Sequence, residues 1–421
     1  KWARFSRKLS NSTKRGDFEN AAALYVQLVD EAPKHEFADK ALFNAAIAYE
    51  KVKRFDAASN VYQRIVDSYP KSDLANRSLF RVGVNFEKGF EFAGAIKAYM
   101  TLVDRYPKSE HRADALFNAA VTLEKLQQYD QAAVTFKRYA TTFPSREDAG
   151  EMFFRSAIVY EKMKAWPEMI TVLDDFIKKY SRNSGQKQRI VEAYQKIGDA
   201  NIQRGKTKLA VRAFQNCVSE YDKRRFRSKD RAATYAAHCA FELAEDKFRG
   251  YDSIRLVGTG KKQVKSLKRK AQLQRTVEKA YKEVYKYKRV ETTLASLYRI
   301  GYTYERFAEA MFGAEIPPEF KNNEELANEY KLQLENQASV LERKAEGAYR
   351  RAYKEARKTK VTNQWSQKTL EGLNKYKPDE FPVQKPGKAA MQRFTISGHG
   401  LDTLSGEPRK SKSTSSDGGA Q

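Results

Sequence analysis

Few of the chain's reactive side chains recur at spacings that chemistry can use. The four histidines, His35, His111, His238 and His399, lie far apart without paired-ligand spacing, so they assemble no zinc site. Gly258-Thr259-Gly260-Lys261-Lys262 touches the wording of a phosphate-binding loop. Arg255, however, stands where that loop needs its first glycine, and Lys262 stands where Ser or Thr would hold magnesium. The stretch reads as a turn. His238, beside Cys239 on a helix, is expected to be structural, and the many carboxylates suit a solvated face better than acid–base work. No catalytic residue, metal ligand or cofactor is therefore expected. Cys217 and Cys239 read as two small buried residues; a bridge would need Cα atoms within about 7 Å and an oxidising compartment.

What the chain does concentrate is positive charge. Its formal net charge is +26, and about half of that falls in residues 222–289. Arg224, Arg225 and Arg227 cluster first, followed by Lys261, Lys262, Lys265, Lys268, Arg269 and Lys270. Such a field suits an anionic lipid, lipopolysaccharide, an acidic protein or nucleic acid, with strong salt dependence. Tyr281, Tyr285 and Tyr287 would stack on bases if exposed, but tyrosines at helical spacing read first as core, so nucleic acid is not the expected partner. A solvated helix face is the bland reading of the same lysines.

The elements that would position any site are written as a repeat. Pro33, Pro70, Pro107 and Pro144 stand 37 residues apart, three of them following Tyr or Phe. A fixed period of this size is the signature of a solenoid. In the first full copy Leu42, Ala45, Ala46 and Tyr49 follow helical spacing, then Ala58, Tyr62 and Ile65 do so on a second helix. Ala46, Gly83, Ala120 and Ala157 admit a close partner helix, while Tyr62, Tyr99 and Phe136 fill the space opposite. Each amphipathic hairpin needs its neighbours to bury its face. A partial copy with Gly16-Asp17-Phe18 precedes these, behind an atypical helix with Trp2, Phe5 and Leu9. A fifth copy carries Trp166-Pro167, and a sixth runs from Ala193 to Tyr221.

The small residues Ala46 and Ala58, the aromatics Tyr49 and Tyr62, and Pro70 resemble the tetratricopeptide repeat (TPR) in order. Its usual period is 34 residues, and the longer unit with Tyr-Pro-Lys-Ser closings is similar to bacterial envelope members. The resemblance implies an all-α, right-handed superhelical solenoid of about six units over residues 1–222. It also implies a concave groove lined by the first helices, displaying Phe43, Phe80, Phe117 and Phe154 with Ile47, Val84, Val121 and Ile158, rimmed by Glu50, Glu87, Glu124 and Glu161. Such a surface suits an extended peptide or a partner helix. The alternatives are that the phenylalanines pack between neighbouring first helices, or that the chain's own basic segment fills the groove.

Residues 223–381 read as a basic helical extension, and 382–421 as a tail in which Pro, Gly, Ser and Lys replace periodicity. Leu297 to Tyr302, Ile316-Pro317-Pro318, Leu334 to Ala338, Asn363-Gln364-Trp365 and Phe381-Pro382 resemble the end of large TPR proteins of deltaproteobacterial gliding and envelope machinery. That resemblance implies a periplasmic or outer-membrane setting with protein partners. The chain opens on Lys1 and displays no targeting signal, and no apolar run of about 18 residues is present to span a membrane. The expectation is a non-catalytic scaffold or adaptor of a cell-envelope complex, with a polyanion-binding module as the alternative.

Overall fold

The structure is a computed structural model describing residues 16–382. The expected opening helix with Trp2, Phe5 and Leu9 and the tail from Val383 lie outside the described residues. Among those described the elements are helices, without a strand. They are α1 (Phe18–Glu31), α2 (Ala38–Lys51), α3 (Phe55–Ser68), α4 (Asp73–Lys88), α5 (Phe92–Arg105), α6 (Arg112–Lys125), α7 (Tyr129–Thr142) and α8 (Ala149–Lys162), then α9 (Trp166–Tyr180), α10 (Lys187–Gln203), α11 (Thr207–Lys223) and α12 (Ala232–Asp252). Beyond them come α13 (Gly260–Glu283), α14 (Val290–Phe312), α15 (Glu324–Thr359) and α16 (Gln364–Tyr376). From α1 to α11 each helix packs on the next in chain order, so this stretch is an all-α solenoid.

Local signals set the boundaries. α1, α3, α5 and α7 each stop just before Pro33, Pro70, Pro107 or Pro144, because proline lacks the donor that would continue the ladder and pushes its predecessor out of the helical region. Ser72 caps α4 by accepting from the Leu74 amide at 3.0 Å. Between the helices of a hairpin the chain makes one left-handed residue. It is Gly205 between α10 and α11, but Lys53, Phe90, Gln127 and Lys164 in the four hairpins before it, these four again 37 residues apart, and Gly16 just before α1 is left-handed too. The left-handed turn is thus a property of the repeat geometry, kept even where no glycine eases it.

The core follows the small-against-large pattern. Tyr62, Tyr99, Phe136 and Phe176 are fully buried in one cluster with Ala46, Ala120 and Ala157. Gly83 takes the small position opposite Tyr99, and a Cβ built on it would lie 2.4 Å from that ring. Gly83→Ala is therefore expected to destabilise the array by about 1–3 kcal/mol through overpacking. Gly347→Ala, mid-helix in α15 with nothing within 4 Å of its Cβ position, is expected to stabilise by about 0.5–1 kcal/mol. Chemical denaturation of both variants checks the opposite signs.

The described chain divides into two compact units: the chain up to Gly250 joined by Lys279–Thr292, and Tyr251–Glu278 joined by the chain from Thr293 on. The compositional boundary at Asp222 falls inside the first unit. Cys217, Tyr221, Ala232, Ala236 and Tyr287 share a buried cluster that carries the packing past it. There the structure also corrects the reading of the cysteines: Cys217 on α11 and Cys239 on α12 form a disulfide, with Cα atoms 6.5 Å apart. The two helices cross closely enough to meet the geometric condition. In the second unit Tyr349 is the centre of packing. Its ring lies against Gly301 of α14 and Gly372 of α16, where built Cβ atoms would come within 2.7 Å and 2.9 Å of it.

Candidate functional site

The first helices α2, α4, α6 and α8 present the expected residues in register, 37 apart, but they use them unequally. Phe43 and Phe154 are each only 6% exposed and pack edge-on against Tyr62 and Phe176, at ring distances of 5.3 Å in both cases. Phe80 and Phe117 are half-buried; Phe80 stacks on His111 at 4.9 Å, and Phe117 lies edge-on to Tyr139. The phenylalanine rung therefore contributes to the core at every step. Ile47, Val84, Val121 and Ile158 form a second line, half-buried on the same four helices.

The four glutamates act between repeats. Arg81 stands 3.6 Å from Glu50. Glu87 accepts from Thr122 Oγ1 at 2.6 Å and from the Tyr99 hydroxyl at 2.9 Å. Glu124 pairs with Arg155 at 2.8 Å and Lys162 at 2.5 Å, and Glu161 with Lys196 at 2.7 Å. Burial alone would raise the Glu124 pKa, but Lys162 and Arg155 together hold it below the usual carboxylate range. Each carboxylate thus ties its helix to the first helix of the next unit. These partners were invisible in the sequence, because they depend on how adjacent hairpins register.

Sequence reasoning also missed a cleft of about 670 Å³ between α7, α8 and α9. Ala133, Val134, Tyr160, Pro167, Thr171 and Val172 line much of it. The available signal was Ala133, which stands where the flanking units carry Ile96 and Ile170. The Asp199 carboxylate meets His238 Nε2 at 2.8 Å. Burial works against the imidazolium, yet Asp199, Glu242 and Glu291 together raise the His238 pKa. Among the described residues no three His, Cys, Asp or Glu side chains converge to hold a metal.

The basic set divides. In the first unit Arg224 is held by Glu220 at 2.7 Å and by the Ser181 carbonyl at 3.1 Å, whereas Arg225 and Arg227 are exposed. In the second unit Lys261, Lys262, Lys265, Lys268 and Arg269 are exposed on α13. Lys270 is a correction. It is 1% exposed, its Nζ donates to the Tyr251 and Ile254 carbonyls at 3.4 Å and 3.2 Å, and it lies 4.4 Å from the Tyr251 ring. Burial pushes its pKa down to about 8, so this lysine serves the fold and not a polyanion. Tyr281 and Tyr287 are fully buried, which removes them as stacking platforms for bases.

Among the described residues no helix is long and apolar enough to cross a membrane. Two family models, both described as tetratricopeptide repeat, match the chain, one at residues 13–77 and the other at 77–109, 114–145, 151–183 and 192–223. No curated protein matches it. Among solved structures it is similar to the MamA protein at 17% identity, covering 45% of this chain and 96% of that one with a TM-score of 0.30. It is similar to a tetratricopeptide repeat protein from Parabacteroides merdae at 15% identity, covering 66% and 93% with a TM-score of 0.30. The Naa15/Naa10 structure bound to HypK-THB shares 15% identity over 89% of this chain and 58% of that one, with a TM-score of 0.38.

Proposed function

With tetratricopeptide repeats over residues 13–223 as the premise, we propose that this chain is a non-catalytic scaffold that captures a protein partner on the face built by its first helices. Repeats of this type generally mediate protein–protein interaction. The observation that carries the reading is the line Ile47, Val84, Val121 and Ile158, one half-buried aliphatic side chain from each of four successive units. Because the glutamates beside it are engaged between repeats, the line is stiff before a ligand arrives, and little ordering cost is left to binding. An extended peptide or helix with apolar anchors at matching intervals is the partner that fits.

We place this scaffold in a bacterial cell-envelope complex, periplasmic or at the outer membrane. The 37-residue unit and the C-terminal words resembling gliding and envelope machinery support the placement. So does the Cys217–Cys239 disulfide, since such bonds persist in oxidising compartments.

Pull-down from envelope extract at about 0.5 M salt tests the reading, because screening there shortens to a few ångströms and leaves apolar contacts in force. Val84→Ser with Val121→Ser is expected to keep the helical circular dichroism signal and to lose roughly tenfold or more in partner capture. Capture of the same partner at unchanged yield by the folded double variant would overturn the assignment of this face.

A further inference from the structure

The periodicity of α13 divides it into two faces. Gln263, Lys270, Gln274 and Val277 are buried, and they follow one another at spacings of 7, 4 and 3 residues, which is a single helical line. On the opposite side Lys261, Lys265, Lys268 and Arg275 follow at 4, 3 and 7, and all four are exposed, with Lys262 and Arg269 exposed at the flank. Over these 14 residue steps the line runs about 21 Å.

None of these six cations has an ion-pair partner among the described residues, although many charged side chains in the chain do. The nearest acid on the same helix, Glu278, is already taken by the Gln274 side chain at 3.0 Å and the Tyr304 hydroxyl at 2.7 Å. The chain therefore builds a straight, uncompensated row of charge and anchors its back with buried polar groups. Gln263 donates to the Gly258 and Glu315 carbonyls at 3.0 Å and 2.9 Å.

We propose that this row docks the protein on an anionic lipid bilayer surface. Lysine outnumbers arginine four to two in it, and the compact ammonium suits a diffuse sheet of headgroups better than the bidentate recognition for which the guanidinium is shaped. An apolar side chain stands beside the charges. Val264, on the edge of the row, is 51% exposed. Cations with apolar neighbours are the composition of a face that rests in the headgroup region. The exposed residues of the row, Gln272 and Thr276 included, contain no aromatic side chain on which single-stranded bases could stack. The inference does not rest on the adaptor reading, since the two surfaces share no residue.

Flotation of the whole chain with vesicles tests it, comparing phosphatidylcholine alone with phosphatidylcholine carrying about a third phosphatidylglycerol, at low and high salt. Binding is expected only to the anionic vesicles and only at low salt. Replacing Lys261, Lys265, Lys268 and Arg275 with Gln is expected to lower the partition by about 600-fold, each basic residue contributing about a fivefold factor. A charge-matched control replaces Lys34, Lys71, Lys108 and Lys187, exposed lysines of the repeat array, with Gln and is expected to bind as the parent does. Three results would overturn the proposal: equal loss in both variants, unchanged binding in the first, or failure on vesicles together with salt-sensitive binding to mixed-sequence duplex DNA. The substitutions lie on solvated helix and turn positions, and circular dichroism of both variants separates unfolding from lost docking.

Discussion

Tyr349→Ala is expected to cost the second unit about 3–5 kcal/mol, the range for truncating a large buried aromatic. The size follows from where three helices meet. α14 and α16 approach α15 through Gly301 and Gly372, and the Tyr349 ring occupies the space that both glycines leave. Tyr298 and Tyr376 close around it at ring distances of 5.6 Å and 6.4 Å. Its hydroxyl donates to Glu305, a carboxylate only 5% exposed that also takes Lys375, and burial with the Glu305 charge raises the phenol pKa. Alanine would leave a cavity lined by helix backbones that cannot collapse, and would remove one of two partners from a buried charge.

Tyr349→Phe separates these contributions. It keeps the ring and removes the hydroxyl, so the expected loss is about 1–3 kcal/mol, that of a hydrogen bond to a charged acceptor. Denaturant unfolding, read together with hydrogen exchange of α14 to α16, checks both variants. A loss under about 1 kcal/mol for Tyr349→Ala would mean that the three helices are held by other contacts.

The array of hairpins was legible because its signals are local and repeated. Proline at a fixed period ends a helix wherever it stands, and small residues facing aromatics predict burial without knowledge of the neighbour. The glutamates show where such reading stops. Glu50, Glu87, Glu124 and Glu161 sit on the expected helices, but their engagement between units depends on the stagger of adjacent hairpins, which no single helix encodes. Lys270 was misread for a different reason. The buried line of α13 carries Gln263 and Lys270 because it must satisfy carbonyls at the end of α12 and in the segment after it, a demand that a clustering of basic residues does not reveal. The boundary at Asp222 followed composition, whereas the fold follows the aromatic and alanine packing that crosses it.

Reducing Cys217–Cys239 is expected to lower the stability of the first unit by about 3 kcal/mol. The bridge closes a loop with a sequence separation of 22 residues, and cross-linking a loop of that length removes roughly this much entropy from the unfolded chain. Both cysteines are fully buried, so a reductant must wait for α11 and α12 to open, and reduction is expected to be slow in native buffer and fast in denaturant. The effect should be confined to the end of the array, since repeat proteins pass stability mainly to nearest neighbours. Thiol counting in denaturant before and after reductant, with denaturant unfolding of both forms, supplies the measurement. Two free thiols in protein isolated without reductant would remove the bridge, and with it the structural support for an oxidising compartment. A bridge present but worth under about 1 kcal/mol would mean that α11 and α12 are held by the buried cluster around Tyr221, Tyr287 and Phe214 and gain little from the covalent link.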